Sequence, residues 1–254
     1  MNIVIPMAGR GSRFYVERDK NSEFSKPKPL INLGEHTMIE WALSSLPKKS
    51  EDVLIFLVLK EHIKNNKIDE KLKKIYGNSI KIIIVDQVTK GAACTVLLAK
   101  NYIDNDTPLM ILDTDHFFDG LTILNEIEKW KGKIDGMVPV FYANSSKWSF
   151  TKLDESGYVV EIAEKEKISK NANIGVYYFS NGENFVWAAE EMIEEGDTVN
   201  SEYYVAPVYN YLIRRGFKIR TCRQRFMHEM GTPQDYVRFL KFLNLGLIKS
   251  NFKK

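Results

Sequence analysis

Two segments near the start of the chain carry residue types that suit the binding of phosphate groups. The first is a glycine-rich loop, which contains Ala8, Gly9, Arg10, Gly11, Ser12 and Arg13. Glycines let backbone amides approach a phosphate closely, and arginine can hold two phosphate oxygens at once. The second is Lys26-Pro27-Lys28-Pro29, in which the prolines stiffen the backbone around Lys28 and could direct its ammonium at the loop. Alone, the first loop is equally consistent with a surface turn that carries two solvated arginines.

The glycine-rich loop departs from the two best-known phosphate-binding motifs. A dinucleotide-binding fingerprint requires a third glycine, and Phe14 stands at that place. A P-loop requires Gly-Lys-Ser or Gly-Lys-Thr, which this loop lacks. Phosphate binding here therefore needs a different arrangement of donors.

A pair of aspartates follows the apolar run from Leu109 to Leu112. Alternate residues of a strand share a face, so Asp113 and Asp115 could point at one ion. Carboxylates beside a polyphosphate would repel it, and Mg²⁺, which prefers oxygen ligands, commonly bridges the two. The sequence therefore predicts a magnesium site at this strand end. The alternative, an aspartate that only caps a turn, stays open and has more weight for Asp113 than for Asp115.

These residues need a scaffold that brings distant segments together. Apolar runs at 2–6, 53–59, 80–85 and 109–112 are rich in Ile, Val and Leu, which is typical of parallel strands buried on both faces. Two further strands are predicted at 158–162 and 174–179. A capping box at Thr37 and Glu40 predicts the start of a helix that ends near Pro47. The other predicted helices lie at 61–76, 91–102, 121–130, 185–195 and 202–215, with a last one from Thr232.

Alternation of strands and helices predicts an α/β fold. We expect one three-layer α/β/α domain with a mixed, mainly parallel, Rossmann-like sheet and an extension in its second half. Ligands of such sheets bind beyond the carboxyl ends of the strands. The glycine-rich loop and the aspartate pair both follow predicted strands, so they are expected at this edge.

The composition excludes several classes of protein. The net charge of +3 is too mild to indicate a nucleic-acid partner, although it suits small anionic ligands. Cys94 and Cys222 form no CxxC pair, so neither a disulfide framework nor a zinc site is predicted. The apolar runs fall short of the about 18 residues that a membrane span needs, and Met1 leads into a strand without a basic signal region. We therefore expect a cytoplasmic protein with no membrane partner.

The order of three motifs resembles the sugar-phosphate nucleotidylyltransferases: Gly-x-Gly-Ser-Arg-Phe, then Lys-Pro-Lys-Pro-Leu, then a helix that opens Met-Ile-Glu-Trp. The resemblance extends from Met1 to about Tyr236. It implies that Arg13 and Lys28 are catalytic, because they hold the triphosphate and stabilise charge at its α-phosphorus. The segment 15–25 would be a lid. The implied nucleotide-binding residues are Ala8, Gly9, Gly11, Ser12, Gln87, Gly91, Ala92 and Asp113.

The resemblance also implies roles for later residues. Asp115 matches the metal-binding aspartate of the family, and Glu229 stands where the family has a second aspartate, so the two would share one Mg²⁺. Glu229 is longer than the aspartate of the family and departs from the family pattern. Ala92 also departs from it, because the family has a threonine there. The implied acceptor-binding residues are Glu164, Lys165, Asn173, Gly175 and Glu202. The basic run between Arg214 and Arg225 is interpreted as a solvated face.

The implied reaction joins a nucleoside triphosphate to a phosphorylated small molecule and releases pyrophosphate. Residues 1–120 would form the nucleotide-binding half of the domain, and 121–254 the acceptor-binding half with the last helix. The chain resembles smaller family members that modify surface polysaccharides, which implies CTP as the donor and L-glutamine phosphate as the acceptor, for capsular phosphoramidate.

Three other functions stay open at this point. A sugar 1-phosphate acceptor would give a nucleotide sugar. A regulatory module would bind nucleotide without turnover. Glycosyl transfer from a nucleotide sugar would use the aspartate pair but does not need the Lys-Pro-Lys-Pro element. A homodimer is also left open.

Overall fold

The computed structural model of the chain describes residues 1–249 and residue 252. Its centre is a ten-stranded mixed sheet, accompanied by two small two-stranded sheets. In chain order the strands are β1 (Asn2–Met7), β2 (Asn32–Leu33), β3 (His36–Thr37), β4 (Val53–Leu59), β5 (Lys81–Val85), β6 (Leu109–Leu112), β7 (His116–Phe118), β8 (Gly136–Tyr142), β9 (Ser149–Leu153), β10 (Val159–Glu164), β11 (Asn171–Asn173), β12 (Val176–Phe179), β13 (Ile219–Arg223) and β14 (Met227–Glu229).

Helices cover the two faces of the large sheet and its end. In chain order they are α1 (Ser12–Tyr15), α2 (Met38–Ser44), α3 (Lys60–Asn66), α4 (Ile68–Tyr76), α5 (Ala92–Leu97), α6 (Lys100–Ile103), α7 (Gly120–Trp130), α8 (Gly182–Glu194), α9 (Val208–Arg214) and α10 (Pro233–Asn244). Short 3-10 turns at Ser22–Ser25 and Lys28–Leu30 lie between α1 and β2. Within the described residues, none of the helices is both long and apolar enough to cross a lipid bilayer.

The strands of the first half form a parallel block in the order β5-β4-β1-β6. Successive side chains of β1 enter two different cores. Val4 packs with residues of α5, α8 and α9, whereas Ile3 and Ile5 pack with residues of α2, α4 and α7. Burial on both faces explains the unbroken apolar runs of β1, β4 and β6. The expectation of burial on both faces is wrong for the run 80–85, because β5 lies at the edge of the sheet and Ile84 is 56% exposed. The predicted α/β fold, with a mixed sheet between two helical layers, is confirmed.

The second half continues the sheet with mostly antiparallel strands. β12 pairs antiparallel with β6 and β8, and β11, β9 and β10 extend the sheet outward. β13 returns parallel to β8. The sequence analysis did not predict β8, partly because Pro139 lies inside it and proline argues against a central strand.

Three predicted helices differ from the structure. The helix at 61–76 is two helices, because Lys67 adopts a left-handed φ of 52° between α3 and α4. The helix at 91–102 is also divided, into α5 and α6. The helix expected from Glu202 begins only at Val208. Before it, Asn200 and Ser201 have φ of 50° and 63° and form a tight turn, across which Val199 and Glu202 exchange two backbone hydrogen bonds of 3.0 Å.

A third apolar cluster lies apart from the two cores of the sheet, between the segment after β1, helix α2 and the C-terminal helix α10. It joins Phe14 and Phe24 from the segment after β1 to Trp41 of α2 and to Phe239 of α10. Trp41 and Phe239 meet edge to face at 5.1 Å between ring centroids. The C-terminal helix therefore packs against the segment that follows the glycine-rich loop.

Candidate active site

The glycine-rich loop and the aspartate pair lie at the same edge of the sheet. β1 and β6 are parallel neighbours, with Val4 opposite Ile111, so the residues that follow each strand emerge together. The Lys28 ammonium also reaches this edge and donates a hydrogen bond of 2.5 Å to Oδ2 of Asp115. The structure thus brings together the loop, Lys28 and Asp115.

Gly11 shapes the loop and sets the position of Lys28. It adopts a left-handed φ of 64° just before α1, and a Cβ atom at Gly11 would lie 3.0 Å from Cβ of Lys28. Both the conformation and the close approach favour glycine. Gly9, Ser12 and Arg13 are exposed to solvent, whereas Ala8 is buried.

The segment expected to be a lid is held at its two ends. The Phe14 and Phe24 rings meet edge to face at 5.1 Å, and Phe24 meets Tyr236 of α10 at the same distance. Asn21 caps the 3-10 turn by accepting a hydrogen bond of 3.0 Å from the backbone of Glu23. Between these anchors Tyr15 is exposed. A lid movement of this segment stays a prediction.

Two adjoining cavities flank the aspartates. The first, of about 420 Å³, is called here the loop-side cavity because Gly9, Gly11 and Ser12 line it with Lys28 and Ala92. The second, of about 330 Å³, is called the strand-side cavity because residues of β9, β10 and β11 line it. Five residues line both cavities: Arg13, Asp113, Asp115, Tyr204 and Gly231. The arrangement can hold two molecules whose reacting groups meet at the aspartates.

Two glycines leave room for the two carboxylates. A Cβ atom at Gly175 would lie 2.3 Å from Oδ2 of Asp113, and one at Gly231 would lie 2.6 Å from Oδ2 of Asp115. The backbone reinforces both contacts, since Asp113 donates its N–H to Gly175 and Asp115 accepts one from Met230, each at 2.8 Å. Gly175 was predicted to make room for an acceptor. The structure adds that it makes room for Asp113.

The two aspartates have opposite electrostatic surroundings. Burial, and then repulsion by Asp115, raises the pKa of Asp113 to about 8. Burial also opposes ionisation of Asp115, but the charge of Lys28, then that of His116, and the hydrogen bond from Lys28 outweigh it and hold the pKa of Asp115 below its usual range. Two adjacent carboxyl groups therefore do not both ionise readily here without additional positive charge.

The predicted acceptor-binding residues fall on both sides of the shared border. Glu164 ends β10 and lines the strand-side cavity, where burial raises the pKa of its carboxyl group to about 7. Lys165 donates a hydrogen bond to the Tyr204 hydroxyl, which in turn donates to Glu202. Glu202 lines the loop-side cavity, so it lies nearer the predicted nucleotide-binding loop than its assignment implied.

Asn173 is buried and its side-chain amide is already engaged. Its Oδ1 accepts a hydrogen bond of 2.6 Å from Thr151, and its Nδ2 donates one of 3.1 Å to Ser149. The Ser149 hydroxyl also bonds to Glu164. Asn173 therefore fixes the wall of the strand-side cavity, and its direct contact with an acceptor stays a prediction.

The segment that was predicted to bind the nucleotide, around Gln87, Gly91 and Ala92, contains small residues because the backbone of Tyr203 lies close to it. Gly91 has φ of 132°, and a Cβ atom there would lie 2.4 Å from the Tyr203 carbonyl oxygen. Ala93 donates its N–H to the same carbonyl at 3.0 Å. Ala92 lines the loop-side cavity, and Gln87 is exposed after β5. Contact of Gln87 and Gly91 with a base stays a prediction.

The predicted metal ligand Glu229 lies in the wall of the strand-side cavity. Its carboxylate pairs with Lys147 and, at 3.6 Å, with Arg238. The described residues whose ligand atoms gather within 4.8 Å of one another are Asp113, Asp115 and His116. Sharing of one ion by Asp115 and Glu229 therefore stays a prediction.

Several residues of the strand-side cavity were not predicted from the sequence. Lys147 and Trp148 directly precede Ser149, the first residue of β9, and Tyr177 lies in β12. Lys147, Trp148 and Ser149 stand in no recognisable motif, so only the antiparallel pairing of the second half reveals them. Tyr177 shares a segment with Asn173 and Gly175 but was not itself predicted to line the site. The contact of Gly231 with Asp115 was not predicted either, because 116 positions of the chain separate the two residues.

The basic run engages partners outside both cavities. Arg214 and Arg215 pair with Glu195 and Glu191 at 3.3 and 2.6 Å. The guanidinium of Arg220 lies over Trp130, 4.0 Å from the ring centroid, and that of Arg223 lies over Tyr142. These contacts support its interpretation as a solvated face.

Known proteins resemble this chain in sequence and in structure. The bifunctional protein GlmU of Francisella tularensis subsp. novicida is 25% identical over 217 residues, which cover 83% of this chain and 44% of that protein. The chain thus spans less than half the length of the curated relatives it matches. The nucleoside-diphosphate-sugar pyrophosphorylase of Vibrio cholerae RC9 superposes with a TM-score of 0.78 and is 26% identical, over 94% of this chain and 99% of that one.

A more distant structure shares the fold. The inositol-1-phosphate CTP transferase of T. maritima is 14% identical, with a TM-score of 0.73 over 98% of each chain. The family model described as nucleotidyl transferase matches residues 5–243, which is nearly the whole chain. This match includes the glycine-rich loop, Lys28, both aspartates and Glu229. The chain therefore belongs to the nucleotidyl transferase family.

Proposed function

We propose that this chain transfers a nucleotidyl group from a nucleoside triphosphate to a phosphorylated small molecule and releases pyrophosphate. The observation that carries the proposal is the shared border of the two cavities, where Arg13, Asp113 and Asp115 face both sides and Lys28 contacts Asp115. The triphosphate occupies the loop-side cavity and the acceptor the strand-side cavity. Their phosphates meet at this border.

The reaction needs no protein nucleophile. An oxygen of the acceptor phosphate forms a bond to the α-phosphorus, and the bond from that phosphorus to the oxygen leading to the β-phosphate breaks. The bonding electrons leave with pyrophosphate. Arg13 and Lys28 hold the phosphates in line and offset the charge that develops around the α-phosphorus. Placement and charge thus supply the catalysis.

The residues present fit a divalent cation of the kind that such chemistry uses. Asp113 and Asp115 lie side by side, and burial, followed by repulsion from Asp115, raises the pKa of Asp113. A cation bound beside both carboxylates would favour their ionised forms. Bound Mg²⁺ would neutralise charge on the phosphates. Asp115 would hold it, with Asp113 beside it and Glu229 as the predicted second carboxylate.

For the substrates, we propose CTP as the donor and L-glutamine phosphate as the acceptor, in capsular phosphoramidate synthesis. The strand-side cavity supports an acceptor of mixed charge. Lys147 and Arg13 suit a phosphate, whereas Glu164 suits a cationic group. A sugar 1-phosphate acceptor is the second candidate, because the V. cholerae relative is a nucleoside-diphosphate-sugar pyrophosphorylase.

A screen of each common nucleoside triphosphate against a panel of phosphorylated acceptors tests the proposal. We expect pyrophosphate release only when both partners are present, with the highest rate for CTP and L-glutamine phosphate. Preference for a purine nucleotide or a sugar phosphate would replace the named substrates and leave the reaction intact. Nucleotide binding without pyrophosphate in every combination would instead favour a non-catalytic regulatory module.

A further inference from the structure

His116 is a buried side chain with an unused polar atom. It follows Asp115 and begins β7, and only 8% of its surface is exposed. Within the described residues, its Nδ1 is one of three buried side-chain atoms without a hydrogen-bond partner. A buried polar group left without a partner is energetically unfavourable, so such an atom calls for an explanation. Packing against Trp148, at 5.7 Å between ring centroids, does not satisfy it.

The unused nitrogen faces the carboxylate that the proposed metal needs. Nδ1 of His116 lies 3.4 Å from Oδ1 of Asp115. Lys28 occupies the other oxygen, Oδ2, of the same carboxylate. Oδ1 and the imidazole nitrogen therefore stand next to each other with no hydrogen bond between them. An ion between the two would satisfy both atoms.

The spacing of the three side chains suits a six-coordinate ion. One ligand atom from each of Asp113, Asp115 and His116 lies within 4.8 Å of the others. For bonds of about 2.1 Å, two ligands of an octahedral ion are about 3 Å apart when adjacent and about 4 Å apart when opposite. None of the three separations exceeds the distance between opposite ligands by more than about 0.8 Å.

Resting on the proposed function, we propose that His116 is a direct imidazole ligand of the divalent cation, together with Asp115 and Asp113. A nitrogen ligand changes which ions the site prefers. Mg²⁺ favours oxygen ligands, whereas imidazole suits first-row transition ions. The site therefore binds Mn²⁺ more tightly than Mg²⁺.

Electron paramagnetic resonance of added Mn²⁺ tests this ligand without any reliance on turnover. The ion is titrated into the full chain, alone and with CTP, and pulsed spectra are searched for coupling to a directly bound nitrogen. We expect that coupling in the unaltered protein and its loss in His116→Asn, which keeps an oxygen ligand. Mn²⁺ affinity should fall at least about tenfold, since changing even a residue that only orients a ligand costs about that much.

His62→Asn is the matched control. His62 is equally buried, at 8% exposure, and its Nδ1 also has no partner, but it lies on α3 outside both cavities. It should change neither the coupling nor the affinity. Absence of nitrogen coupling, or of Mn²⁺ binding, with and without CTP would overturn the assignment of His116. Bound Mn²⁺ with nitrogen coupling but no pyrophosphate from any substrate pair would leave the ligand in place and refute the proposed function.

Discussion

Lys28 is the residue on which the charge balance of the site depends most. Its ammonium bonds Asp115 at 2.5 Å and also lines the loop-side cavity, so it can serve the carboxylate and a triphosphate in turn. The proline-flanked motif predicted a lysine aimed at the glycine-rich loop. The sequence did not reveal that it would contact Asp115, because that contact joins segments 87 residues apart.

Lys28→Ala should lower turnover by about a hundredfold or more, because removing one preorganised charge-stabilising donor typically costs that much. Lys26→Ala is the control on the same segment, since Lys26 pairs with Glu23 and lines neither cavity. Steady-state rates of pyrophosphate release measure both. Near-normal rates for Lys28→Ala would remove this residue from the mechanism.

Glu164 should make the stability of the protein depend on pH. Burial raises its pKa from 4.5 to about 7, so the folded protein binds this proton more tightly than the unfolded chain does. Its contribution to stability is therefore present below about pH 4.5 and is lost as pH rises through 7. Because one pKa unit corresponds to about 1.4 kcal/mol, the loss is at most about 3.5 kcal/mol.

Glu164→Gln removes this titration. Its free energy of unfolding relative to the unaltered protein should rise between pH 4.5 and 8, as urea unfolding at several pH values would measure. Glu166→Gln, at an exposed neighbour, should show no such trend. A difference for Glu164→Gln that stays constant with pH would contradict the raised pKa.

Among the elements, the segment before β12 and the segment before α10 each lie against one of the two aspartates. Gly175, just before β12, and Gly231, just after β14, each lie against one carboxylate. The sequence analysis assigned Gly175 to acceptor binding. Only the pairing of β12 with β6 shows why Gly175 lies against Asp113.

Gly175→Ala should displace the Asp113 carboxylate and lower turnover at least about tenfold. Gly196→Ala separates this clash from backbone strain, because Gly196 has φ of 68°, close to the 74° of Gly175, with nothing within 4 Å of its added Cβ. Both changes should cost about 1 kcal/mol or more through their left-handed backbone. Only Gly175→Ala should lose activity, and equal rates for the two variants would contradict the contact.

Helix α10 supports the phosphate-binding segment through its apolar face. Phe239 is buried against Trp41, whereas Val237 is 65% exposed on the same helix. Phe239→Ala should lower the free energy of unfolding by about 3–5 kcal/mol, and Val237→Ala by no more than about 0.5 kcal/mol. Urea unfolding measures both values. A value for Phe239→Ala as small as that expected for Val237→Ala would mean that the apolar face of α10 contributes little to folding.

At the scale of the whole molecule, the two halves were not equally predictable. The parallel block could be predicted because strands buried on both faces leave continuous apolar runs, as in β1, β4 and β6. The antiparallel half was predicted only in part. β10 and β12 were predicted, at 158–162 and 174–179. β8 was missed because it contains a proline, and β9 because it buries some residues and exposes others, which weakens its pattern. The strand-side cavity is built from this half, which is why its residues were identified less completely.

In the proposed reaction, the α-phosphorus of a triphosphate is transferred to an acceptor phosphate across the border of the two cavities. The most direct test follows labelled phosphorus from CTP, placed at either the α or the γ position, in the presence of L-glutamine phosphate and the other acceptors. We predict that the α label appears in a nucleotide-linked product and the γ label in pyrophosphate, in equal amounts. Both should require Asp115, so Asp115→Asn should suppress them together. Transfer of the γ label to the acceptor, or formation of pyrophosphate without an acceptor, would contradict the central claim.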